Sequence, residues 1–191
     1  ARHSRKDQPV FSTSAFHLHL RLSTTKLSPF LQPDDIIAVI DPDMVFLRPL
    51  SHDFTPSNTF QPVYAPGNEF DPTDPYTSTS THNVTTVQHG HPFAPKYDVG
   101  DAWRYFNLKY ITKSDTSPAL NVTQEEALSH YAVGSPYMPT IQDMYALTPL
   151  WLDSVATVRE EFPEHISEMY SYIIGAAHAN LPHHLIQNLM I

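Results

Sequence analysis

The chain has 191 residues, of which 41% are hydrophobic, so it is long enough for one domain with a sizeable core and too apolar for a disordered protein. Its 11 Lys and Arg residues and 20 Asp and Glu residues give a net charge of −9, which disfavours binding to the phosphates of a nucleic acid. There is no Cys, which excludes disulfides and thiolate sites, and no apolar run reaches the roughly 18 residues that a membrane span needs.

The predicted strands lie in the first part of the chain. Residues 36–40 are apolar, rich in β-branched side chains and bounded by Asp and Pro, a pattern typical of a short strand buried on both faces of a parallel sheet. A second short strand is predicted at 44–47. Residues 51–80 are rich in Pro, Thr, Ser and Asp and are predicted to be irregular, with one strand at 62–65. Asp101 then predicts the start of a short helix.

The predicted helices lie toward the C-terminal end. Thr140, with Asp143 three residues later, resembles a capping box, and Pro149, preceded by Thr, predicts a second helix start. Apolar side chains then repeat at helical spacing over 151–162 and again over 166–177, which predicts a pair of helices. Strands first and paired helices last indicate an α/β fold.

Asp41 and Asp43 are candidate ligands of a hard cation. They follow the predicted strand 36–40 directly, and ligands gather at the carboxyl ends of strands in parallel α/β sheets. Two carboxylates one residue apart can converge on one cation, which would then bridge the pyrophosphate of a nucleotide. Since Asp and Pro are also standard turn residues, a polar turn without function is the alternative interpretation.

Four sequence blocks, in chain order, resemble one enzyme family. The blocks are Ile36-Ile37-Ala38-Val39-Ile40-Asp41-Pro42-Asp43-Met44-Val45-Phe46-Leu47-Arg48-Pro49-Leu50, then Gly90-His91-Pro92 with Tyr97-Asp98-Val99-Gly100-Asp101-Ala102-Trp103, then Val133-Gly134-Ser135-Pro136-Tyr137, and last Glu168-Met169-Tyr170-Ser171-Tyr172 with Ala176-Ala177-His178 and Leu181-Pro182-His183. Together they resemble eukaryotic nucleotide-sugar glycosyltransferases with the GT-A fold. In particular, they resemble the plant, algal and protist group that contains the hydroxyproline O-arabinosyltransferases and peptidyl-serine α-galactosyltransferases.

The resemblance implies a metal-dependent transfer reaction. The donor would be a UDP-sugar, the cation Mn²⁺ or Mg²⁺, and the acceptor a hydroxyl of a peptide, on hydroxyproline or serine, or of a glycan, with the anomeric configuration retained. The implied fold is a GT-A-like mixed sheet with C-terminal helices. Because the nucleotide-binding strands that precede the Asp-x-Asp strand in such enzymes are not recognisable, we expect residues 1–191 to be a single, incomplete catalytic domain.

The resemblance also implies where the enzyme works. Such transferases act in the lumen of the Golgi or the ER, and we expect a membrane anchor only in a segment outside this chain. Sequons at Asn83 and Asn121 agree with a secretory-pathway protein.

Further site residues follow from the later blocks and from the helix pattern. The resemblance implies His183 as a third metal ligand, with a surface histidine as the alternative. Asp143 is a candidate for binding the sugar or the acceptor, or else a carboxylate favoured at a helix start. Glu168 is a candidate catalytic residue, or part of a solvated helix face, because it lies opposite the apolar stripe. Trp103 either stacks on a sugar or is buried.

Two other functions compete with the transferase. A degenerate transferase-like domain would bind a glycan or peptide without turnover, and a metal-dependent hydrolase would use the same pair of acids. Metal-dependent UDP binding and the release of free sugar distinguish the three.

Overall fold

The computed structural model describes residues 31–41 and 86–186, and the described residues from Gln32 onward belong to one compact unit. The predicted strands at 44–47 and 62–65 lie outside the described residues, as does Asp43.

The described residues combine a small parallel sheet with helices, which confirms the α/β class. The strands are β1 (Phe93–Pro95) and β2 (His184–Ile186), and the α-helices are α1 (Leu108–Thr112), α2 (Gln124–Glu126), α3 (Ile141–Glu161) and α4 (Ser167–His178). Shorter turns of 3₁₀-helix lie at Ala102–Tyr105 and Pro118–Asn121, and a π-helical turn lies at Ala127–Tyr131. None of the helices in these two ranges is both long and apolar enough to span a bilayer.

Strand β1 has a backbone partner on each side. It pairs in parallel with β2, with Phe93 opposite His184. On its other side Phe93 exchanges two backbone hydrogen bonds with Met138, at 2.8 and 3.1 Å. The segment that contains Met138 pairs in turn with residues 36–39, so two further extended segments continue the sheet beyond β1.

Residues 36–40 are extended, but the prediction that they are buried on both faces of a parallel sheet is wrong. Their partner is antiparallel: Val39 and Tyr137 exchange backbone hydrogen bonds of 2.8 and 2.9 Å. Ile37 and Val39 pack on the core, whereas Ile36 is 36% exposed and Ile40 is 46% exposed. An apolar run carries no alternation, so it cannot reveal that only one face of the strand is covered.

Helix α3 begins as predicted, but it continues without a break through the position where a second helix was predicted to start. Thr140 is its N-cap and accepts a 3.2 Å hydrogen bond from the backbone N–H of Asp143, but the carboxylate of Asp143 points elsewhere, so the capping box is only half formed. The helix then continues through Pro149, and the predicted second start there is wrong. Its buried residues lie on both sides of the proline, so burial of one continuous face outweighs the local cost of about 3 kcal/mol for an internal proline.

The core lies between the sheet and the last two helices, and α4 forms much of it. The helix predicted over 166–177 is confirmed, but residues 170–177 are all buried, so it is covered on every side there and not only along the predicted apolar stripe. Trp103, at 0% exposure, lies in the same cluster, so the buried alternative for this residue is confirmed. The short helix predicted after Asp101 is the 3₁₀ turn Ala102–Tyr105, although the Asp101 side chain binds Arg104 rather than capping the turn.

Candidate functional site

Two stacked tyrosines form the centre of the candidate site. Tyr137 comes from the extended segment that pairs with residues 36–39, and Tyr172 comes from α4. Their ring centroids are 3.7 Å apart with an interplanar angle of 20°, and both side chains are buried. Trp151 of α3 packs edge-on against both rings, at 6.3 and 5.1 Å. Sheet and helices therefore meet at this pair.

The charges of three predicted acidic site residues affect the pKa values of the two tyrosines. Burial raises the pKa of Tyr137, and the negative charges of Asp41 and Glu168 raise it further. Burial also raises the pKa of Tyr172 well above its usual value, with smaller contributions from Tyr137 and Asp143. Both phenols are therefore neutral at physiological pH. Asp41, Asp143 and Glu168, which are distant in sequence, thus all act on one aromatic pair.

His183 is hydrogen-bonded to one member of this pair, Tyr172. Its Nε2 lies 2.8 Å from the hydroxyl of Tyr172, and its side chain has no exposed surface, so the alternative of a surface histidine is wrong. The pKa of His183 is lowered to about 3, mainly by burial, which the Leu181 backbone partly offsets, with smaller contributions in the same direction as burial from the nearby His184 and His130. The ring is therefore neutral. Its Nδ1 makes no hydrogen bond within the described part of the chain.

The residues implied as metal ligands fit a hard divalent cation in their chemistry. Carboxylate oxygens suit Mg²⁺ and Mn²⁺, and an imidazole must be neutral to bind a metal, as His183 is. Asp41 is exposed, directly follows the paired segment, and affects the pKa of Tyr137. Across residues 31–41 and 86–186, no three His, Asp or Glu side chains converge on one point, and Asp43 is outside these ranges.

Asp143 is completely buried, and its carboxylate binds the turn at residues 89–90. Its Oδ1 lies 2.6 Å from Nδ1 of His89, and the backbone N–H of Gly90 donates to both carboxylate oxygens at 3.1 and 3.2 Å. Gly90 has φ = +79°, a conformation that glycine adopts without strain. Since chain groups occupy both oxygens, a sugar or acceptor cannot reach Asp143 unless the turn moves.

His89 is the member of this pair that reaches solvent. Its side chain is 52% exposed, whereas that of Asp143 is 0% exposed. The amide nitrogen of Gln142 lies 3.2 Å from Nε2 of His89. A neutral ring with its proton on Nδ1 satisfies both contacts, because it donates to Asp143 and accepts from Gln142. The sequence did not single out His89, although it precedes the Gly90-His91-Pro92 motif.

Glu168 lies on the first turn of α4. Its carboxylate is 3.5 Å from Nη2 of Arg159, and the side chain is 41% exposed. Trp151 donates its indole N–H to the backbone carbonyl of Glu168 at 3.2 Å. The carboxylate is thus on a partly solvated face, and it affects the centre of the site through its charge rather than by contact.

A surface cleft of about 510 Å³ lies beside the π-helical turn and the end of α4. Asn121, Glu126 and His130 are among the residues that line it, and none of the predicted site residues does. Asn121 itself is exposed, as an N-glycosylation acceptor must be. The cleft adjoins the candidate site through His130, whose backbone carbonyl accepts a 3.1 Å hydrogen bond from the N–H of His183.

Tyr137, Tyr172 and His89 are the residues that sequence reasoning missed. Both tyrosines lie in blocks that carry the family resemblance, so their position was the available signal, but apolar patterning does not distinguish them from other core aromatics. No known protein family, curated protein or solved structure matches this chain in the comparisons made.

Proposed function

We propose that this chain is a metal-dependent glycosyltransferase that moves a sugar from a UDP-sugar to a hydroxyl of a peptide or glycan. The observation that carries the proposal is that three residues named from the sequence act on the Tyr137–Tyr172 pair. His183 bonds the Tyr172 hydroxyl, and the charges of Asp41 and Asp143 raise the pKa values of Tyr137 and Tyr172 respectively. These three residues lie far apart in the sequence. Asp41 and His183 belong to blocks that carry the family resemblance, whereas Asp143 was proposed from the helix pattern as a residue that binds the sugar or the acceptor. The proposal includes hydroxyproline or serine as the acceptor, retention of configuration, and a location in the Golgi or ER lumen.

In this proposal Asp41, Asp43 and His183 hold the cation. The cation, when bound, supplies positive charge for the diphosphate that departs from the sugar. The chain keeps His183 neutral by burial, and the Tyr172 hydroxyl fixes the orientation of its ring. Because both tyrosines remain protonated, they add no negative charge of their own next to the donor.

Glu168 and Asp143 complete the proposed site in different ways. Glu168 is partly exposed and lies 3.5 Å from Arg159, so it is available to a sugar hydroxyl. Asp143 acts through the turn that it binds, since its own oxygens accept hydrogen bonds from His89 and Gly90.

Calorimetry with UDP and Mn²⁺ tests the proposal. We expect UDP binding that requires Mn²⁺ and is lost in Asp41→Ala and Asp43→Ala. Asp153→Ala is the matched control, because Asp153 is an exposed acid on the outer face of α3 that pairs with Lys113. It should bind UDP as the unmodified chain does.

Two other outcomes would contradict the proposal. Binding of a glycan or peptide that is indifferent to metal and to UDP would favour a non-catalytic binding domain. Release of free sugar from a donor at the same rate with and without an acceptor would indicate a hydrolase.

A further inference from the structure

We propose that His89, oriented by Asp143, is the base that takes the proton from the acceptor hydroxyl. This inference rests on the proposed function, because it assigns a role within that same transfer reaction. It starts from the pair described above, in which a fully buried carboxylate holds one nitrogen of a half-exposed imidazole. Neither the sequence patterns nor the family resemblance pointed to His89.

The geometry gives each ring nitrogen a separate role. Nδ1 lies 2.6 Å from the Asp143 carboxylate, which fixes the proton on that nitrogen and fixes the plane of the ring. Nε2 then carries the lone pair on the side away from Asp143. A carboxylate that holds an imidazole in this tautomer is the arrangement by which serine hydrolases activate a hydroxyl.

The Nε2 atom can be reached by a substrate. Its neighbour is the amide of Gln142, whose side chain is exposed and can swing away without uncovering a buried group. An acceptor hydroxyl that takes the place of this amide would donate its proton to the same lone pair. No described residue other than Gln142 bonds Nε2.

The Asp143 carboxylate also connects His89 to the proposed donor site. Its charge acts on the Tyr172 hydroxyl, which is bonded to His183. The turn also contacts the segment that carries His183, since Nδ1 of His91 lies 3.3 Å from Nε2 of His184. A base in this position serves an acceptor that enters beside the turn at residues 89–90.

The proposed step is balanced. The acceptor oxygen forms a bond to the anomeric carbon on the same face of the sugar from which the diphosphate oxygen departs, so the bond to that oxygen breaks and the configuration is retained. The diphosphate leaves with the bonding electron pair, and the acceptor proton moves to Nε2 of His89, from which water removes it. The nucleotide-sugar is the only co-reactant. An aliphatic hydroxyl, which is a poor nucleophile when protonated, is the acceptor class that needs such a base.

A purely structural role is the rival explanation. The same contacts fasten the 89–90 turn to the start of α3, and this alone would account for the pair. His89→Gln separates the two roles, because its amide can still donate to Asp143 but cannot take a proton. His89→Ala removes both functions and leaves space for added imidazole.

The experiment measures sugar transfer and UDP binding in the same preparations, with Mn²⁺ present. We expect both His89 variants to bind UDP normally and to lose about 100-fold or more in kcat, the usual contribution of a general base. Added imidazole should restore part of the transfer in His89→Ala. Asp143→Asn should lower kcat with little change in donor affinity, as expected of a positioning residue. His165→Ala, at an exposed histidine far along the chain, is the matched control and should transfer normally.

Each remaining result overturns the inference. Near-normal transfer by His89→Gln would show that the turn needs only a tether. A loss in His89→Ala that imidazole does not restore would point to a damaged turn. If the unmodified chain neither binds UDP nor transfers sugar, the proposed function itself fails, and the inference fails with it. That result is recognised before any variant is made.

Discussion

The hydroxyl of Tyr172 lies 2.8 Å from Nε2 of His183, and neither side chain is exposed to solvent. This contact lets a histidine remain in the core without a charge. It also links the folding of α4 to the residue that the resemblance implies as a metal ligand.

The first prediction concerns the dependence of stability on pH. Burial lowers the pKa of His183 to about 3 from an ordinary value of 6.5, so between these values the unfolded chain binds the proton and the folded chain does not. The free energy of unfolding should therefore rise with pH from about 3 to 6.5, with a slope of up to about 1.4 kcal/mol per unit from this group, and its contribution should be constant above that range.

Urea unfolding of the unmodified chain and of His183→Leu between pH 4 and pH 8 measures this slope. The difference in unfolding free energy between the two proteins should grow as the pH rises toward 6.5. Parallel curves would show that His183 titrates in the folded protein as it does in the unfolded one.

The second prediction is a coupling between Tyr172 and His183. Tyr172→Phe leaves Nε2 of His183 buried without its partner, which should cost about 1–3 kcal/mol of stability. Once His183→Leu has removed that nitrogen, the same Tyr172→Phe change should cost much less. A double-mutant cycle measured by urea unfolding gives the coupling energy, and additive effects would contradict the contact.

The third prediction compares two threonines of α3. The Thr140 hydroxyl accepts the hydrogen bond that caps the helix, so Thr140→Val should destabilise the protein by about 1 kcal/mol. The Thr148 hydroxyl is buried and makes no hydrogen bond within the described residues, so Thr148→Val should be neutral or stabilising. Thermal unfolding of both variants tests the contrast. A Thr140→Val variant as stable as the unmodified chain would mean that Thr140 contributes no cap, and a clear loss in Thr148→Val would mean that the Thr148 hydroxyl is bonded.

The fourth prediction concerns Gly134, in the third resemblance block. A Cβ atom here would lie 2.8 to 2.9 Å from three atoms of Tyr97, including its own Cβ. These atoms are close to the backbone and cannot turn aside, so Gly134→Ala should destabilise the protein by about 1–3 kcal/mol. In a protein that already carries Tyr97→Ala, the Gly134→Ala change should cost less stability, because two of the three close atoms are gone. Thermal unfolding of the set measures it, and a neutral Gly134→Ala would contradict the packing.

Local patterns in the sequence predicted the helices better than the sheet. Thr140 was recognisable as a cap, and the stripe over 166–177 was recognisable as a buried helix, because both signals lie within a few residues. Pro149 misled the prediction for the same reason, since a proline is a local signal and the packing that overrides it is not. The half-exposed face of residues 36–40 depends on what packs against the segment, which no run of letters records.

The candidate site was predictable only in part. Asp41, Asp143, Glu168 and His183 were each named from the sequence, but their relation to Tyr137 and Tyr172 arises from tertiary contacts. The contact between His89 and Asp143 joins residues 54 positions apart. Periodicity and spacing describe neighbours along the chain, so a pair this distant leaves no trace in them.

During synthesis, residues 36–39 leave the ribosome well before the Tyr137 segment with which they pair. Within the described residues, Val39 bonds with Ser135, 96 positions later in the chain, and with Tyr137, which follows it. At about 5–20 residues per second, the ribosome needs on the order of 5–20 seconds to supply these partners. Until then the apolar segment before Asp41 emerges with open backbone groups, so we expect nascent chains of this protein to be captured there by chaperones.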